Sequence, residues 1–330
     1  MAAYKTLKGQ SIRQVASDPT NPVVGEIWYN TNLGVLKGYQ TVAAAWASGG
    51  ALPTGVYFSG GAGDKDAALS IGGSRFSPPA GVNTVNIYNG STWTGGPNLN
   101  YSGRGTGMSG GPKTAAWVGG GAFPSYPTIL NNFSTWNDSS WTAGPTLATN
   151  TSDSGGTVPQ TACLGYGGYV TTPSAGSTNK TQEYNGSSWT GGGAYPISTS
   201  IGDQGAGTQT AALAFGGEGP PTTTATELWN GTNWTAVNSM NTARVLMGES
   251  GTSTSALAFG GEGPPNLAVT ESYNGTNWTE VNDLNTARRS LAMSSTDNTS
   301  ALAFGGNAEP VIYSNTESWN GSVWTETNDL

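Results

Sequence analysis

Acidic side chains are the residues of this chain that could do chemistry, because its 330 residues contain no histidine and a single cysteine. The missing imidazole removes Ser-His-Asp triads, histidine-based zinc sites and the usual general base. A glycosidase needs only two acids, and the candidates are Asp64, Asp66, Asp153, Glu218 and Glu262. Glu218 and Glu262 both stand in a Gly-Gly-Glu-Gly-Pro-Pro segment, which favours a loop copied with its repeat. We therefore expect no enzyme, no catalytic residues and no cofactor.

Metal binding and thiol chemistry have one candidate each. Asp64 and Asp66 lie in the segment Gly-Asp-Lys-Asp, which could hold calcium through its carboxylates. A solvated turn explains the same two residues, so we expect no metal. Cys163 has no second cysteine to pair with, and we place it inside the second strand of a repeat, buried as a small apolar residue.

Charge and composition limit the classes of partner. Charged residues make up 10% of the chain and its net charge is −8, whereas nucleic acid and anionic membranes require clusters of lysine and arginine. We therefore expect neither partner. Glycine contributes 51 residues, and serine, threonine and asparagine are abundant, as is typical of a loop-rich, all-β, extracellular type of protein.

The hydropathy of the sequence shows neither a signal peptide nor a transmembrane helix. Residues 1–30 lack the apolar core of a signal peptide, and no stretch reaches the roughly 18 apolar residues of a transmembrane helix. An extracellular type of protein without a secretion signal leaves its cell by another route. Release by lysis as part of a virus particle meets both conditions, so we expect a virion location.

A period of 44 to 48 residues organises most of the chain. A Trp-Thr pair recurs six times, and each Trp has an aromatic residue five positions before it and an apolar run ending in Gly-Gly further upstream. The six tryptophans are Trp93, Trp141, Trp189, Trp234, Trp278 and Trp324. A period in the forties without helical spacing predicts a radial array of small sheets, the blades of a β-propeller.

The unit at residues 243–283 illustrates one blade. We predict strands at Val245–Glu249, Ala256–Phe259, Val269–Tyr273 and Trp278–Val281, with Asn274-Gly275 as a tight hairpin turn. Alternation of apolar and polar residues in the last two strands indicates sheets packed face to face, with aromatic rings between neighbouring blades.

Six complete units predict an all-β, six-bladed propeller at residues 49–330, preceded by an adaptor at residues 1–48. An extra hairpin near Gly34 to Trp46 has no double-glycine strand before it, so a seven-bladed or strand-exchanged ring stays open as the alternative. Residues 25–37 predict a separate hairpin with its turn at residues 31–34.

The repeat resembles the kelch repeat in its double glycine, its downstream aromatic residue and Trp, and the Asn-Thr-Ala-Arg at Asn241–Arg244 and Asn285–Arg288. It differs in its shorter hairpin, with four residues between the aromatic residue and Trp. The resemblance implies a propeller fold and says little about function.

The segment Gly-Glu-Ile-Trp-Tyr-Asn at residues 25–30 resembles an adaptor near the start of tail-fibre and appendage proteins of tailed bacteriophages. Together with the repeats, it resembles virion structural proteins of marine cyanobacterial phages. The resemblance implies attachment to other virion proteins through the N-terminal segment. Trp28 and Tyr29 are the candidate attachment residues, and ordinary hairpin core is the competing interpretation.

The connections between second and third strands vary most among the repeats, and in four-stranded blades they emerge on one face. That face is the candidate binding surface because its aromatic and polar side chains suit sugar rings. The candidates are Arg75, Phe76, Phe123, Tyr126, Tyr169 and Lys180. Packing within their own loops is the simpler interpretation for Phe76 and Phe123.

These inferences predict a non-enzymatic virion structural protein of a tailed bacteriophage. Its propeller would serve receptor binding and adhesion to host-surface polysaccharide, or decoration of the particle, in multiple copies. A lectin-like adhesion module of a bacterial cell and a glycan-cleaving enzyme are the alternatives.

Overall fold

The computed structural model describes residues 13–17, 27–32, 34–38, 53, 59–63, 67–76, 79–102, 108–122, 128–152, 154–157, 159–171, 176–197, 204–219, 221–263, 265–290, 292–304, 306–308, 311–313 and 316–326. Contacts divide the chain into two compact units, Met1–Ala45 and Trp46–Leu330. All the regular elements in these ranges are β-strands.

The first unit contains a three-stranded sheet. Its strands are β1 (Arg13–Val15), β2 (Ile27–Asn30) and β3 (Val35–Gly38). β2 and β3 form the predicted antiparallel hairpin, and the backbone N–H of Gly34 closes the turn on the carbonyl of Asn30 at 2.8 Å. β1 pairs with β2 in parallel, an addition that the sequence did not reveal.

The second unit contains six four-stranded sheets and three short two-stranded ones. In chain order, blade 1 comprises β4 (Gly60–Gly63), β5 (Ala68–Ile71), β6 (Ser74–Phe76), β7 (Pro79–Gly81), β8 (Val85–Tyr88) and β9 (Trp93–Gly95). Blade 2 comprises β10 (Met108–Gly110), β11 (Trp117–Gly119), β12 (Phe133–Trp136) and β13 (Trp141–Ala143). Blade 3 comprises β14 (Gly155–Gly156), β15 (Leu164–Tyr166), β16 (Tyr169–Val170), β17 (Gly176–Ser177), β18 (Thr181–Tyr184) and β19 (Trp189–Gly191).

The last three blades follow the same order. Blade 4 comprises β20 (Gln204–Thr208), β21 (Ala211–Phe215), β22 (Thr226–Trp229) and β23 (Trp234–Val237). Blade 5 comprises β24 (Gly248–Thr252), β25 (Ser255–Phe259), β26 (Thr270–Tyr273) and β27 (Trp278–Val281). Blade 6 comprises β28 (Ala292–Asp297), β29 (Ser300–Phe304), β30 (Asn307–Ala308), β31 (Val311–Ile312), β32 (Thr316–Trp319) and β33 (Trp324–Glu326).

The six sheets are the blades of a β-propeller, as predicted. Each four-stranded sheet is an antiparallel meander of strands that follow one another in the chain, with β6–β7, β16–β17 and β30–β31 as small hairpins between second and third strands. The first strands of blades that are neighbours in sequence contact each other and so lie nearest the axis. Strand exchange between these six blades does not occur, and the partial unit at residues 39–46 lies outside the described residues.

The predicted strands of blade 5 are confirmed except for the first, which begins at Gly248 and not at Val245. Val245 instead forms an isolated bridge with Glu262. Leu246, between Val245 and the strand, has a φ of 54°, which no extended strand accommodates. The chain therefore pairs with the segment after the second strand, through Val245 and Glu262, before the first strand starts.

Tryptophan side chains join each blade to the one before it. Within blade 4, Trp229 and Trp234 are cross-strand partners with ring centroids 5.3 Å apart. Trp278 of blade 5 reaches back to blade 4, where its ring lies 4.9 Å from that of Phe215 and its indole N–H donates to Thr226 Oγ1 at 3.0 Å. Trp234 and Trp324 make the same bond to Thr181 and Thr270.

Five apolar clusters result from this packing, one at each junction from blades 1–2 to blades 5–6. The junction of blades 4 and 5 is representative: Leu213 and Phe215 of blade 4 are buried against Tyr273 and Trp278 of blade 5. Burying an aromatic side chain removes about 150–250 Å² of surface from water, so the aromatic rings supply most of the apolar contact in a chain poor in large aliphatic residues.

The double glycine has a steric reason. Gly216 has a φ of 68°, and a β-carbon there would lie 2.3 Å from Met247 Cε and 2.8 Å from the carbonyl oxygen of Arg244. Only glycine combines this backbone angle with so close an approach of the next blade.

The indole hydrogen bond predicts an unequal effect of two matching substitutions. Trp278→Phe should lower the free energy of unfolding more than Trp189→Phe, by about 1–2 kcal/mol, because it removes a buried bond and leaves the Thr226 hydroxyl unpaired. Trp189 occupies the same position in blade 3, but its buried indole N–H has no hydrogen-bond partner. Urea denaturation followed by tryptophan fluorescence measures both values, and equal losses would contradict this role of the bond.

Candidate binding face

The meander of each blade divides its connections between two faces of the propeller. Connections between strands two and three, and between strand four and the next blade, emerge on one side, which we name the loop face. Connections between strands one and two, and between three and four, emerge on the other side, the hairpin face. The two faces can therefore be compared across six copies of one scaffold.

The turns between strands three and four, on the hairpin face, are nearly identical from blade to blade. In every turn between strands three and four, an exposed asparagine accepts hydrogen bonds on its Oδ1 atom from the backbone N–H groups two and three residues later, at 2.8–3.1 Å. These are Asn89, Asn137, Asn185, Asn230, Asn274 and Asn320. Turn geometry thus accounts for the Asn-x-Ser/Thr triplets that recur at these turns.

The loop face combines a common frame with variable loops. Isolated β-bridges join the segment that enters a blade to the segment that follows its second strand, at Ser152–Tyr169, Val245–Glu262 and Arg289–Asn307. Beyond these bridges, blades 1, 3 and 6 add a small hairpin, which blades 4 and 5 lack among the described residues. The frame is fixed by backbone pairing, so the loops can differ without loss of the blade.

The predicted site residues are distributed over these loops. Tyr169 is half-buried and pairs through its backbone with Ser152 and Ser177, while Lys180 is exposed just before the third strand of blade 3. Both therefore belong to one connection. Arg75 and Phe76 lie on the first strand of the blade 1 hairpin, paired with Ala80 and Pro79. Phe123 and Tyr126 lie outside the described residues.

The acidic residues considered as catalytic or metal-binding candidates differ in their surroundings. Glu262 forms an ion pair with Arg289 in the next segment of the loop face, and Glu218, its counterpart in blade 4, is half-buried. Asp64, Asp66 and Asp153 lie outside the described residues. Within the described ranges, no three His, Cys, Asp or Glu side chains are grouped so that they could hold a metal ion.

Cys163 is buried, as predicted, but it precedes the second strand of blade 3 and does not lie within it. Its thiol lies 3.3 Å from the carbonyl oxygen of Pro159 and 3.4 Å from that of Gln160. The chain turns here to enter the strand. Burial raises the pKa of this thiol, which keeps it in the unreactive protonated form.

Sequence reasoning missed a buried polar clamp beneath the loop face. Glu271, on the third strand of blade 5, accepts hydrogen bonds from the backbone and side-chain nitrogens of Asn241 at 2.7 and 2.8 Å and from the backbone N–H of Thr242 at 3.2 Å. Arg244 Nη2 lies 3.2 Å from the same carboxylate and donates to the carbonyl of Ala258 at 3.2 Å. Four donors thus hold one buried carboxylate.

Blade 6 repeats this clamp. Glu317 accepts from both nitrogens of Asn285, from the backbone of Thr286 and from Arg288, and Arg288 also donates to the carbonyl of Ala303. Both arginines and both glutamates are almost entirely buried. The repeated Asn-Thr-Ala-Arg, noted above for its resemblance to kelch repeats, is the sequence signal of this structural ion pair.

Burial changes the ionisation of two groups at the junction of blades 4 and 5. It lowers the pKa of Arg244 to about 10, against the opposing effect of the Glu271 charge. On the first strand of blade 5, burial raises the pKa of Glu249 to about 8, although a hydrogen bond from the backbone of Gly205 opposes the rise. Glu249 Oε2 accepts no hydrogen bond, so the protonated form is favoured at neutral pH.

The two candidate attachment residues of the N-terminal unit, Trp28 and Tyr29, differ in burial. Trp28 is 5% exposed and Tyr29, the next residue along the same strand, is 36% exposed. The two side chains point to opposite sides of the strand. Trp28 is therefore hairpin core, and Tyr29 is the one of the two that remains accessible to a partner.

Solved structures of similar fold agree with this architecture. One of them, titled "Structure of YjhT", has a TM-score of 0.66 and 14% sequence identity, with 84% of this chain and 99% of that chain covered. In all, 263 chains of solved structures match. Because the sequence identity is only 14%, the likeness shows the fold alone. No protein-family model and no curated protein matches the sequence. A search of the described residues finds no helix long and apolar enough to cross a membrane.

We expect the free energy of unfolding to depend strongly on the charge pair between Arg244 and Glu271. Glu271→Gln should lower the free energy of unfolding by about 3 kcal/mol, because it leaves Arg244 buried without its counter-ion. Replacing both partners, Arg244→Met with Glu271→Gln, should cost less than the single change, because it keeps an acceptor for Asn241 and removes the unpaired charge. Asp138→Asn, which removes the exposed ion pair with Lys113 in blade 2, is the control. Urea denaturation measures all four proteins, and a double variant as unstable as Glu271→Gln would contradict the charge argument.

Because of Glu249, we expect the free energy of unfolding to fall as the pH rises from about 4.3 to about 8. An unfolded glutamate has a pKa of about 4.3, whereas that of folded Glu249 is about 8. Between these values the folded state holds more protons, so the free energy of unfolding falls as pH rises. Glu249→Gln should make this fall shallower and should exceed the original protein in stability at pH 9. Urea midpoints between pH 4 and pH 9 test this, with Glu280→Gln expected to keep the full slope.

Proposed function

We propose that this protein is a non-enzymatic structural protein of a tailed bacteriophage particle, which displays a propeller for adhesion to host-surface glycans or for decoration of the particle. The difference between two sets of connections carries the proposal. Six copies of one scaffold keep the turns between strands three and four uniform and vary the connections between strands two and three, although the same ring supports both. Variable loops held on a rigid frame are the pattern of a binding surface.

The chemistry of the loop face supports a sugar ligand. The exposed Lys180 and the half-buried Tyr169 lie in the same connection of blade 3. Aromatic rings stack on the C–H faces of sugars, and charged or amide groups bond to their hydroxyls. Such contacts are individually weak, so many copies on one particle would supply the avidity.

Attachment through the N-terminal unit follows from its separate sheet. Tyr29 is 36% exposed on the second strand of this sheet. An accessible tyrosine is suited to a protein partner, because it combines a large apolar ring with a polar hydroxyl group. The resemblance of residues 25–30 to phage adaptors supports a virion protein as that partner.

The engagement of acidic groups supports a non-enzymatic role. Glu271 and Glu317 are each bound to a buried arginine, and Glu262 is paired with Arg289. A glycosidase needs one free carboxylate and one acid flanking the scissile bond. These three glutamates are committed to other contacts.

The location is tested by antibodies raised against the full chain. They should label intact particles in electron micrographs, at the tail if the protein is an adhesin or over the head if it decorates the capsid. Absence of label on particles whose host lysate contains the protein would reject a virion role. Incubation with host polysaccharide should release no reducing ends, and turnover abolished by one carboxylate change would show an enzyme.

Binding is tested on the protein displayed in multiple copies on beads. Tyr169→Ala together with Lys180→Ala should weaken capture of host polysaccharide by at least about tenfold, the effect of losing roughly 1.4 kcal/mol of contact. Thr232→Ala together with Thr276→Ala, at exposed positions of the hairpin face, should leave capture unchanged. If the hairpin-face variant loses binding and the loop-face variant keeps it, the assignment of faces is wrong.

A further inference from the structure

One buried carboxylate at the clamp position lacks three of the four donors that it has in blades 5 and 6. Glu227, on the third strand of blade 4, pairs with Ala214 of the second strand, as Glu271 pairs with Ala258 in blade 5 and Glu317 with Ala303 in blade 6. The three glutamates therefore occupy one position of the repeat. The carboxylate and the neighbouring carbonyl that receive an arginine in blades 5 and 6 are both present in blade 4.

The missing donors can be read from the segment that enters blade 4. The backbone N–H of Tyr195 bonds to Asn179 as those of Met240 and Leu284 bond to Thr224 and Ala268, at 2.9 to 3.0 Å. These three residues are thus equivalent. The residue after Met240 and after Leu284 is the clamp asparagine, but the residue after Tyr195 is Pro196.

Proline removes two of the four donors at once, because it has neither a backbone N–H nor a side-chain amide. The arginine donor is also absent, since residues 192–203 contain no lysine and no arginine. The fourth donor, the backbone N–H of Thr242, corresponds to that of Ile197. The segment that supplies Arg244 and Arg288 to the following blades supplies no cation here.

Glu227 shows the consequence. It is 4% exposed, and its Oε2 atom is buried without a hydrogen-bond partner, whereas Glu271 and Glu317 each accept four bonds. Buried polar atoms in folded proteins are nearly always bonded. Burial raises the pKa of this carboxyl group, which is the expected response of an acid without a counter-ion.

We propose that Glu227 and the carbonyl of Ala214 form a binding site for the guanidinium or primary ammonium group of a ligand. The group would take the place that arginine side chains occupy in blades 5 and 6. Blade 5 shows a mode open to either group, because a single guanidinium nitrogen, Arg244 Nη2, lies 3.2 Å from both the glutamate and the alanine carbonyl. In blade 6, Arg288 uses Nη1 for the glutamate and Nη2 for the alanine carbonyl.

The chemistry favours a cation with N–H donors over a metal ion. One carboxylate and one carbonyl are too few oxygen ligands for calcium or magnesium. They match a donor that can bond to two acceptors at once, and charge-assisted bonds of this kind are the stronger class. The arginines of blades 5 and 6 enter from connections of the loop face, so a ligand would enter blade 4 from that face. The site does not depend on the proposed virion role.

The experiment measures binding of methylguanidinium chloride to the full chain by isothermal titration at pH 8 and constant ionic strength. Methylammonium chloride is the second probe, and tetramethylammonium chloride, a cation without N–H donors, is the control. We expect saturable binding of the first two, and binding of tetramethylammonium at least about tenfold weaker, since a charged hydrogen bond contributes roughly 1.5–3 kcal/mol.

Two variants locate the site. Glu227→Gln preserves the shape and removes the charge, so it should fold and should weaken methylguanidinium binding at least about tenfold. Pro196→Asn restores the two asparagine donors found in blades 5 and 6 and should also weaken binding, because they compete for the same carboxylate. Glu280→Gln, at an exposed carboxylate, should bind as the original protein does.

The proposal is overturned if the original protein shows no saturable binding, or if Glu227→Gln and Pro196→Asn both bind methylguanidinium as tightly as the original. Loss of binding in Pro196→Asn alone would also overturn it, because the carboxylate would then not be the receptor. Loss in both variants, with Glu280→Gln unchanged, supports it. Near-ultraviolet circular dichroism confirms that each variant retains its tertiary structure.

Discussion

Insertion of one tryptophan from each of blades 2 to 6 into the blade before it is the contact on which this propeller depends. Trp278 covers Phe215 and bonds to Thr226, and Trp234 and Trp324 make the same bond at the neighbouring junctions. Individual blades bury only part of their apolar surface, since each sheet has two faces. The indole ring supplies apolar packing and a hydrogen bond together, because its carbon face fills the space between sheets and its N–H donates to a threonine hydroxyl.

A polar layer lies between this aromatic layer and the loop face. In blades 5 and 6 it is a four-donor clamp on a glutamate, and in blade 3 the equivalent Gln182 accepts a hydrogen bond from the backbone of Thr149 at 3.1 Å. Ser134 of blade 2 bonds to Asn100 at 2.6 Å. The position thus keeps a polar side chain while its partners change, which fixes the segment entering each blade whatever loop lies above it. Glu227 departs from this rule, and a departure from an otherwise satisfied layer is where function is expected.

The two faces follow from this layering. The hairpin face is specified locally, because an asparagine and the two following N–H groups are enough to close each turn. The loop face is specified by pairing between segments about 17 residues apart, such as Val245 with Glu262. Because the bridge fixes the frame, the loop beyond it can differ in length and composition among the blades and can serve a ligand. A rigid ring that carries variable loops is the physical basis of the proposed adhesive role.

The sequence by itself determined the number of blades, the hairpin turns and the aromatic layer, because each depends on residues near in sequence whose types have few alternatives: double glycine, Asn-Gly and paired aromatic residues. It placed the first strand of blade 5 three residues early and Cys163 inside a strand, since apolar composition does not reveal the positive φ of Leu246 or a turn that buries a thiol. Only the tertiary structure showed that Arg244 meets Glu271, 27 residues later, and that Glu227 has no such partner. Which donor reaches a buried carboxylate is decided by the approach of two blades, and that approach leaves no periodic pattern in the chain.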